Sequence, residues 1–107
     1  MREKIKMLSK IPIKVEKIAE ENLDKQVLRA AIIAELDAVN LYEQLASLTG
    51  NSYIRTILLN IAKEEKTHVG EFQTLLLKFD AQQKEELTKG KKEVEEIVNP
   101  ENSSKAP

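Results

Sequence analysis

The sequence predicts an all-α protein: an antiparallel two-helix hairpin with a short C-terminal helix, pairing with a copy of itself into a four-helix bundle. Three observations carry this expectation. A third of the 107 residues are charged, only 4% are aromatic, and there are three glycines, a balance that suits long helices better than a sheet. Apolar residues recur at alternating steps of three and four, the spacing of one helix face. Each of the two resulting seams is interrupted at mid-length by residues of metal-ligand type.

Taken in order, residues 1–22 read as an N-terminal arm. Its basic residues and scattered apolar ones suggest a solvated segment packed on the main helices, with contact to an acidic partner surface as the alternative. Pro12 interrupts any continuous helix there, and a short helix over about 15–22 is expected. Residues 23–98 form the helical hairpin and its C-terminal helix. The first long helix runs from about Asp24 to Leu48, with Asn22 or Asp24 as its N-cap and Gly50 as a left-handed stop. Ser52 is the expected cap of the second, which continues to about Phe79. At roughly 25 residues each, these helices are about 35–40 Å long. The connection between them is short, so they pack antiparallel. Asp80 and Gln83 have capping-box spacing and open a third helix that should end near Lys89 and Gly90, with a further short helical piece over 91–98. Residues 99–107 are polar and proline-bearing, and read as a disordered tail.

Composition removes several function classes. The formal charge is −1, so no global field argues for nucleic acid or an anionic membrane. Without cysteine there is no disulfide, iron–sulfur cluster, cysteine-ligated zinc site or thiol nucleophile. No apolar run approaches the roughly 18 residues of a membrane span. Charges at Lys4, Lys6, Lys10 and Lys14 break up any signal-peptide core, and the expected location is the cytoplasm.

The seam of the first helix reads Leu28, Ile32, Glu35, Val39, Tyr42, Ala46. That of the second reads Ile54, Leu58, Ile61, Glu65, His68, Phe72, Leu75, Phe79. A lone histidine on an apolar face is ordinarily a satisfied core residue, and a seam glutamate can set register against a lysine. Both readings weaken here, because three such residues converge and no seam lysine or arginine stands at their level. Burying carboxylates is costly unless they are compensated. Di-iron carboxylate bundles take one Glu from each of two helices and a Glu-x-x-His pair from each of the other two. One chain here supplies half of that set: Glu35 on one helix, Glu65 and His68 on the next, the latter two on one face. Two chains would supply four carboxylates and two imidazoles, matching two divalent cations. Tyr42, one seam step beyond, either hydrogen-bonds a ligand or contacts the metal pair, or is plain core. Glu64, Glu71 and Asp37 lie off the seam and read as surface charges, with a cation-access role as the alternative.

These residues resemble a known family. Ala31 to Gln44 (AIIAELDAVNLYEQ), followed by Glu64 to Phe72 (EEKTHVGEF), looks like the encapsulated ferritins, and the likeness covers about residues 28–80. Members are ferritin-like half-bundles that complete a ferroxidase centre across a dimer interface. They form rings of dimers, commonly decamers, and work inside encapsulin nanocompartments, some being fused to the shell protein. The resemblance implies that Glu35, Glu65 and His68 ligate iron, two ions per dimer, and that Tyr42 lies beside them. Asp37 matches a position associated with cation uptake. The chain departs from the pattern at Ala34 and Leu41, where some members carry glutamate and tryptophan. It departs again in the tail, which lacks the apolar residues of a shell-docking peptide.

The function expected is therefore a ferroxidase, oxidising Fe(II) with dioxygen for iron storage in an encapsulin nanocompartment. The partners expected are a second copy and the encapsulin shell protein, with neither nucleic acid nor membrane. The rivals are a rubrerythrin-like protein that reduces peroxide at the same iron pair, and a non-enzymatic helical adaptor.

Overall fold

The computed structural model describes residues 20–101. Among them are three helices and no strand: α1 Glu20–Leu48, α2 Ser52–Phe79 and α3 Ala81–Val98. The expected all-α class holds. The N-terminal arm before Glu20, most of its expected short helix, and the tail from residue 102 lie outside the described residues. None of the helices is long and apolar enough to cross a membrane. The chain divides into two compact units after Leu76.

In the first unit α1 and α2 run antiparallel. Arg55 reaches Ala46, Lys66 lies 3.6 Å from Glu43, and His68 meets Glu35, so positions rise on one helix as they fall on the other. The stripe expected on α1 is the one that packs: Leu28, Val39 and Ala46 are buried, and Ile32, Glu35 and Tyr42 are half-buried. On α2 the expected stripe is corrected. Its middle (Leu58, Ile61, Glu65, His68, Phe72) is half-buried, but Ile54, Leu75 and Phe79 are exposed. Ala62, Val69 and Leu76 turn inward instead, rotated by about one position. The physical reason is that α2 is apolar on two neighbouring flanks, and the in-chain contact uses the one with the smaller residue. Ala46 and Ala62 are each only 2% exposed. A methyl side chain at each of these buried positions takes up little room between the helices, which a larger residue there would not.

The helix ends bring three further corrections. The helix already runs through Asn22 and Asp24, so neither is its N-cap. Nothing from Glu20 to Asp24 is a glycine or proline, and the helix has no reason to start later. Asn51, not Ser52, caps α2: its Oδ1 accepts from the backbone N–H groups of Tyr53 (2.9 Å) and Ile54 (3.1 Å). These are donors that a helix start leaves without intrahelical partners. Gly50 does not adopt the left-handed conformation, since no described residue has positive φ. The orphan carbonyls at the end of α1 are taken by Arg55, whose Nη2 donates to Thr49 O (2.7 Å) and Nε to Ala46 O (3.4 Å). A guanidinium at a helix C-terminus also suits the negative end of the macrodipole.

In the second unit Asp80 caps α3 as expected, its Oδ1 accepting from Gln83 N–H at 3.0 Å. The break expected at Gly90 is absent. α3 is one helix of 18 residues, because a single glycine costs only about 1 kcal/mol and charge pairs flank it on both sides. Lys89 lies 3.8 Å from Glu85 and 3.3 Å from Glu86, and Lys91 lies 4.0 Å from Glu95.

Candidate metal centre

The two helices of the first unit bring together the three residues that the seams single out. Glu35 comes from α1, and Glu65 and His68 come from one face of α2. His68 Nδ1 stands 3.2 Å from Glu35 Oε2 and 3.4 Å from Glu65 Oε2. One ligand atom from each residue falls within 4.8 Å of the others. Among the described residues no second group of three histidine, aspartate or glutamate side chains converges in this way.

The surroundings of the cluster have the chemistry of a cation seat. The Glu35 and Glu65 side chains are 20% and 18% exposed, while His68 is 42% exposed. The carboxylates are thus largely withdrawn from water, and the imidazole marks the open side. Among the described residues neither carboxylate has a lysine or arginine ion-pair partner; His68 is the one group set against both. Two carboxylates and an imidazole form a mixed oxygen–nitrogen donor set, which suits iron and other first-row divalent metals. The residues present therefore fit the metal that the bundle pattern implies.

The neighbours are placed less centrally. Tyr42 is half-buried on the same stripe as Glu35, two turns further along, and no hydrogen bond links it to either carboxylate. Asp37 is half-buried, and Glu64 and Glu71 are exposed; none joins the cluster. Lys66 and Glu43 form an exposed pair across the hairpin, of the kind that contributes less than about 1 kcal/mol.

Beside the cluster lie two stripes that reading one seam per helix misses. On α1, Val27, Ala31, Ala34, Ala38, Leu41, Leu45 and Leu48 follow one another at alternating steps of four and three, and every one is apolar. The first and last are exposed and the rest are only half-buried. On α2, Ile54, Ile57, Ile61, Glu64, His68, Glu71 and Leu75 follow the same spacing, apolar at four of the seven positions, with Ile57 58% exposed. The signal was present as a second apolar period next to the first.

Comparison with known proteins gives a consistent picture. A family model described as Rubrerythrin matches residues 26–105. A "Ferritin-like-encapsulin shell fusion protein" of Pyrococcus furiosus is 55% identical over 73 residues, covering 68% of this chain and 21% of that protein. An "Encapsulin nanocompartment cargo protein EncC" of Myxococcus xanthus is 38% identical over 56 residues, covering 52% of this chain and 43% of that one. The chain thus spans about a fifth of the first relative and under half of the second. Among solved structures, the crystal structure of an encapsulated ferritin domain from Pyrococcus furiosus matches with a TM-score of 0.72 at 49% identity, over 84% of this chain and 94% of that one.

Proposed function

The chain belongs to the encapsulated ferritins, within the wider rubrerythrin group, and on that premise we propose that it is a ferroxidase, oxidising Fe(II) to Fe(III) at a di-iron centre completed by a second copy of itself. The observation that supports this most directly is the approach of Glu35, Glu65 and His68 to within 4.8 Å in one hairpin. One copy offers two carboxylates and one imidazole. A two-fold pair offers four carboxylates, the charge that two divalent ions require.

The roles follow from the donor types. Glu35 and Glu65 hold ferrous ions, which are the substrate, and carboxylates remain good ligands as the ionic charge rises. His68 supplies a nitrogen donor through Nδ1, the atom that faces both carboxylates. Two ferrous ions held together give one electron each, and dioxygen accepts the pair. The apolar stripe from Val27 to Leu48 on α1, together with exposed Ile54, Ile57 and Leu75 on the His68 flank of α2, is the surface that the second copy covers. Tyr42 sits at the edge of that surface, and Asp37 is the acidic residue assigned to cation uptake. A pair of hairpins encloses no room for mineral, so storage requires an enclosing shell. The names of the two relatives support an encapsulin shell as that partner, with the chain inside the nanocompartment. The assembly proposed for it is a ring of dimers, a decamer.

Anaerobic titration with Fe(II) tests this reading. Binding is expected to saturate at two ions per dimer, and admission of oxygen should then produce a ferric absorbance. Glu65→Gln is expected to lower the oxidation rate by more than the roughly 100-fold that losing an outer partner of a metal ligand costs. The match to the rubrerythrin model keeps peroxide reduction as the second reading. Iron that turns over with peroxide and stays ferrous in oxygen would establish that reading and remove the ferroxidase.

A further inference from the structure

We infer that the joint at Asp80 is a two-state hinge. While the Asp80 side chain caps α3, α2 and α3 are separate helices; when that cap is withdrawn, they join into one continuous helix from Ser52 to Val98. The hinge belongs to the second unit and does not depend on the reading of the metal cluster.

The first ground is the sequence pattern, which runs through the joint without interruption. Drawn on one helix at about 100° per residue, Phe72, Leu76, Phe79, Leu87, Val94 and Ile97 all fall on a single face roughly 80° wide. That apolar period belongs to one long helix as well as to two. No glycine or proline stands between Gly70 and Gly90, so no backbone restriction obliges α2 to stop at Phe79. The second ground is the accounting of backbone groups. α2 ends at Phe79 and α3 begins at Ala81, so Asp80 alone carries the break, with φ −134° and ψ 88°. An unbroken helix would give the N–H groups of Ala81, Gln82 and Gln83 the carbonyls of Leu77, Lys78 and Phe79. In exchange the break has the bond from Gln83 N–H to Asp80 Oδ1, at 3.0 Å.

The third ground is the state of the latch itself. Asp80 is 7% exposed, and among the described residues it is the one polar or charged residue that is buried. A carboxyl withdrawn from water and bonded to a backbone N–H is costly to strip of that partner. The cap therefore holds a break that the surrounding helix-forming residues would otherwise close. Taking the Asp80 side chain out of its place, by substitution or by a competing surface, releases the two helices into one. The joined helix is about 70 Å long at 1.5 Å per residue. It carries the apolar side of α3 in line with that of α2. The hinge thus decides the direction in which exposed Leu87, Val94 and Ile97 are presented.

Spin labels on the full chain test the hinge. The sequence has no cysteine, so Lys63→Cys and Lys92→Cys, both at exposed positions, place labels on α2 and α3 alone. With labelled chain diluted into unlabelled chain, Asp80→Ala should move the label-to-label distance to about 43 Å, the span of roughly 29 residues of unbroken helix. Asp80→Asn keeps a capping oxygen and should keep the wild-type distance. Adding Ala81→Pro to Asp80→Ala should restore that distance. Proline is accepted at the first position of a helix but not inside one, and position 80 already has the extended backbone that a following proline demands. Amide exchange reads the same event. In Asp80→Ala the N–H groups of Ala81 and Gln82 should exchange at least about tenfold more slowly than in the wild type, having gained carbonyl partners. Asp80→Ala that keeps the wild-type distance shows a break that outlasts its cap, and overturns the inference. Lower helical circular dichroism in Asp80→Ala does so too, since α3 would then need the cap in order to form. Asp80→Asn that joins as fully as Asp80→Ala removes the latch from Asp80, and a proline variant that stays at the joined distance removes the joint.

Discussion

The two long helices of the hairpin differ in how they spend their apolar residues. On α1 the stripe through Glu35 is the one that packs within the chain, with Leu28, Val39 and Ala46 all buried. On α2 the stripe through Glu65 and His68 is shared: its middle is half-buried, its ends are exposed, and Ala62 and Leu76 take the innermost places. The contrast shows that α2 stands at a border between two packing partners. One flank belongs to α1, the other is exposed in the single chain, and the candidate ligands sit on the line between them. A ligand at such a border is held by its own chain and remains open to another. That is the arrangement a shared metal centre requires, and it explains why His68 is more exposed than either carboxylate.

Substitutions on the two flanks of α2 should separate these packing roles. Ala62→Leu forces three extra carbons into a position that is 2% exposed, and overpacking of this kind costs about 1–3 kcal/mol. Urea unfolding of the single chain should show that loss in full. Ile57→Lys, on the other flank, should change the unfolding midpoint of the single chain by within about 0.5 kcal/mol, while weakening association measured by sedimentation. Equal losses of chain stability from both would mean that the two flanks are not distinct, and would remove the border from the argument.

A smaller effect tests the turn. Asn51→Ala removes the acceptor for Tyr53 and Ile54 N–H and is expected to cost about 1 kcal/mol, whereas Ser52→Ala should stay within about 0.5 kcal/mol. Thermal melting of the two variants side by side is sufficient, and a larger loss at Ser52 would return the cap to the position first expected from the sequence.

The same turn shows how far a sequence can be read. The Glu35, Glu65 and His68 trio was legible because polar residues stand out in an apolar period, and because a spacing of three fixes a common face without knowledge of the neighbour. The stripe on α1 and the Asp80 cap were legible for the same local reason. The cap of α2 was misplaced by one residue, since Asn51 and Ser52 are adjacent and both cap well; only the reach of Asn51 Oδ1 to two N–H groups separates them. Gly50 looked like a left-handed stop, but Arg55, a turn into the next helix, satisfies those carbonyls from a distance that a local window does not span. The face of α2 was read as one seam, and its ends at Ile54, Leu75 and Phe79 proved exposed while Ala62 and Leu76 turn inward. Which of two adjacent apolar flanks turns inward depends on the fit of Ala62 against α1, a property of two helices together.

The helix α3 offers the opposite case. No side chain of α3 is buried, so its stability within the described residues rests on its Asp80 cap, its charge pairs and intrinsic propensity rather than on packing. Propensity should therefore show there with little dilution. Gly90 lies inside α3 with negative φ, and a Cβ built on it would meet nothing within 4 Å. Gly90→Ala should then stabilise α3 by about 0.5–1 kcal/mol, the backbone freedom that glycine gives up in a helix. The gain should appear as added helical signal at high temperature in far-ultraviolet circular dichroism. In α1 and α2 a propensity change of this size would be confounded by packing on both flanks. A loss of stability at Gly90→Ala would show that another surface, in the assembled protein, approaches α3 at that position. The contrast between a helix held by its own sequence and two helices held by their neighbours would then fail at its simplest point.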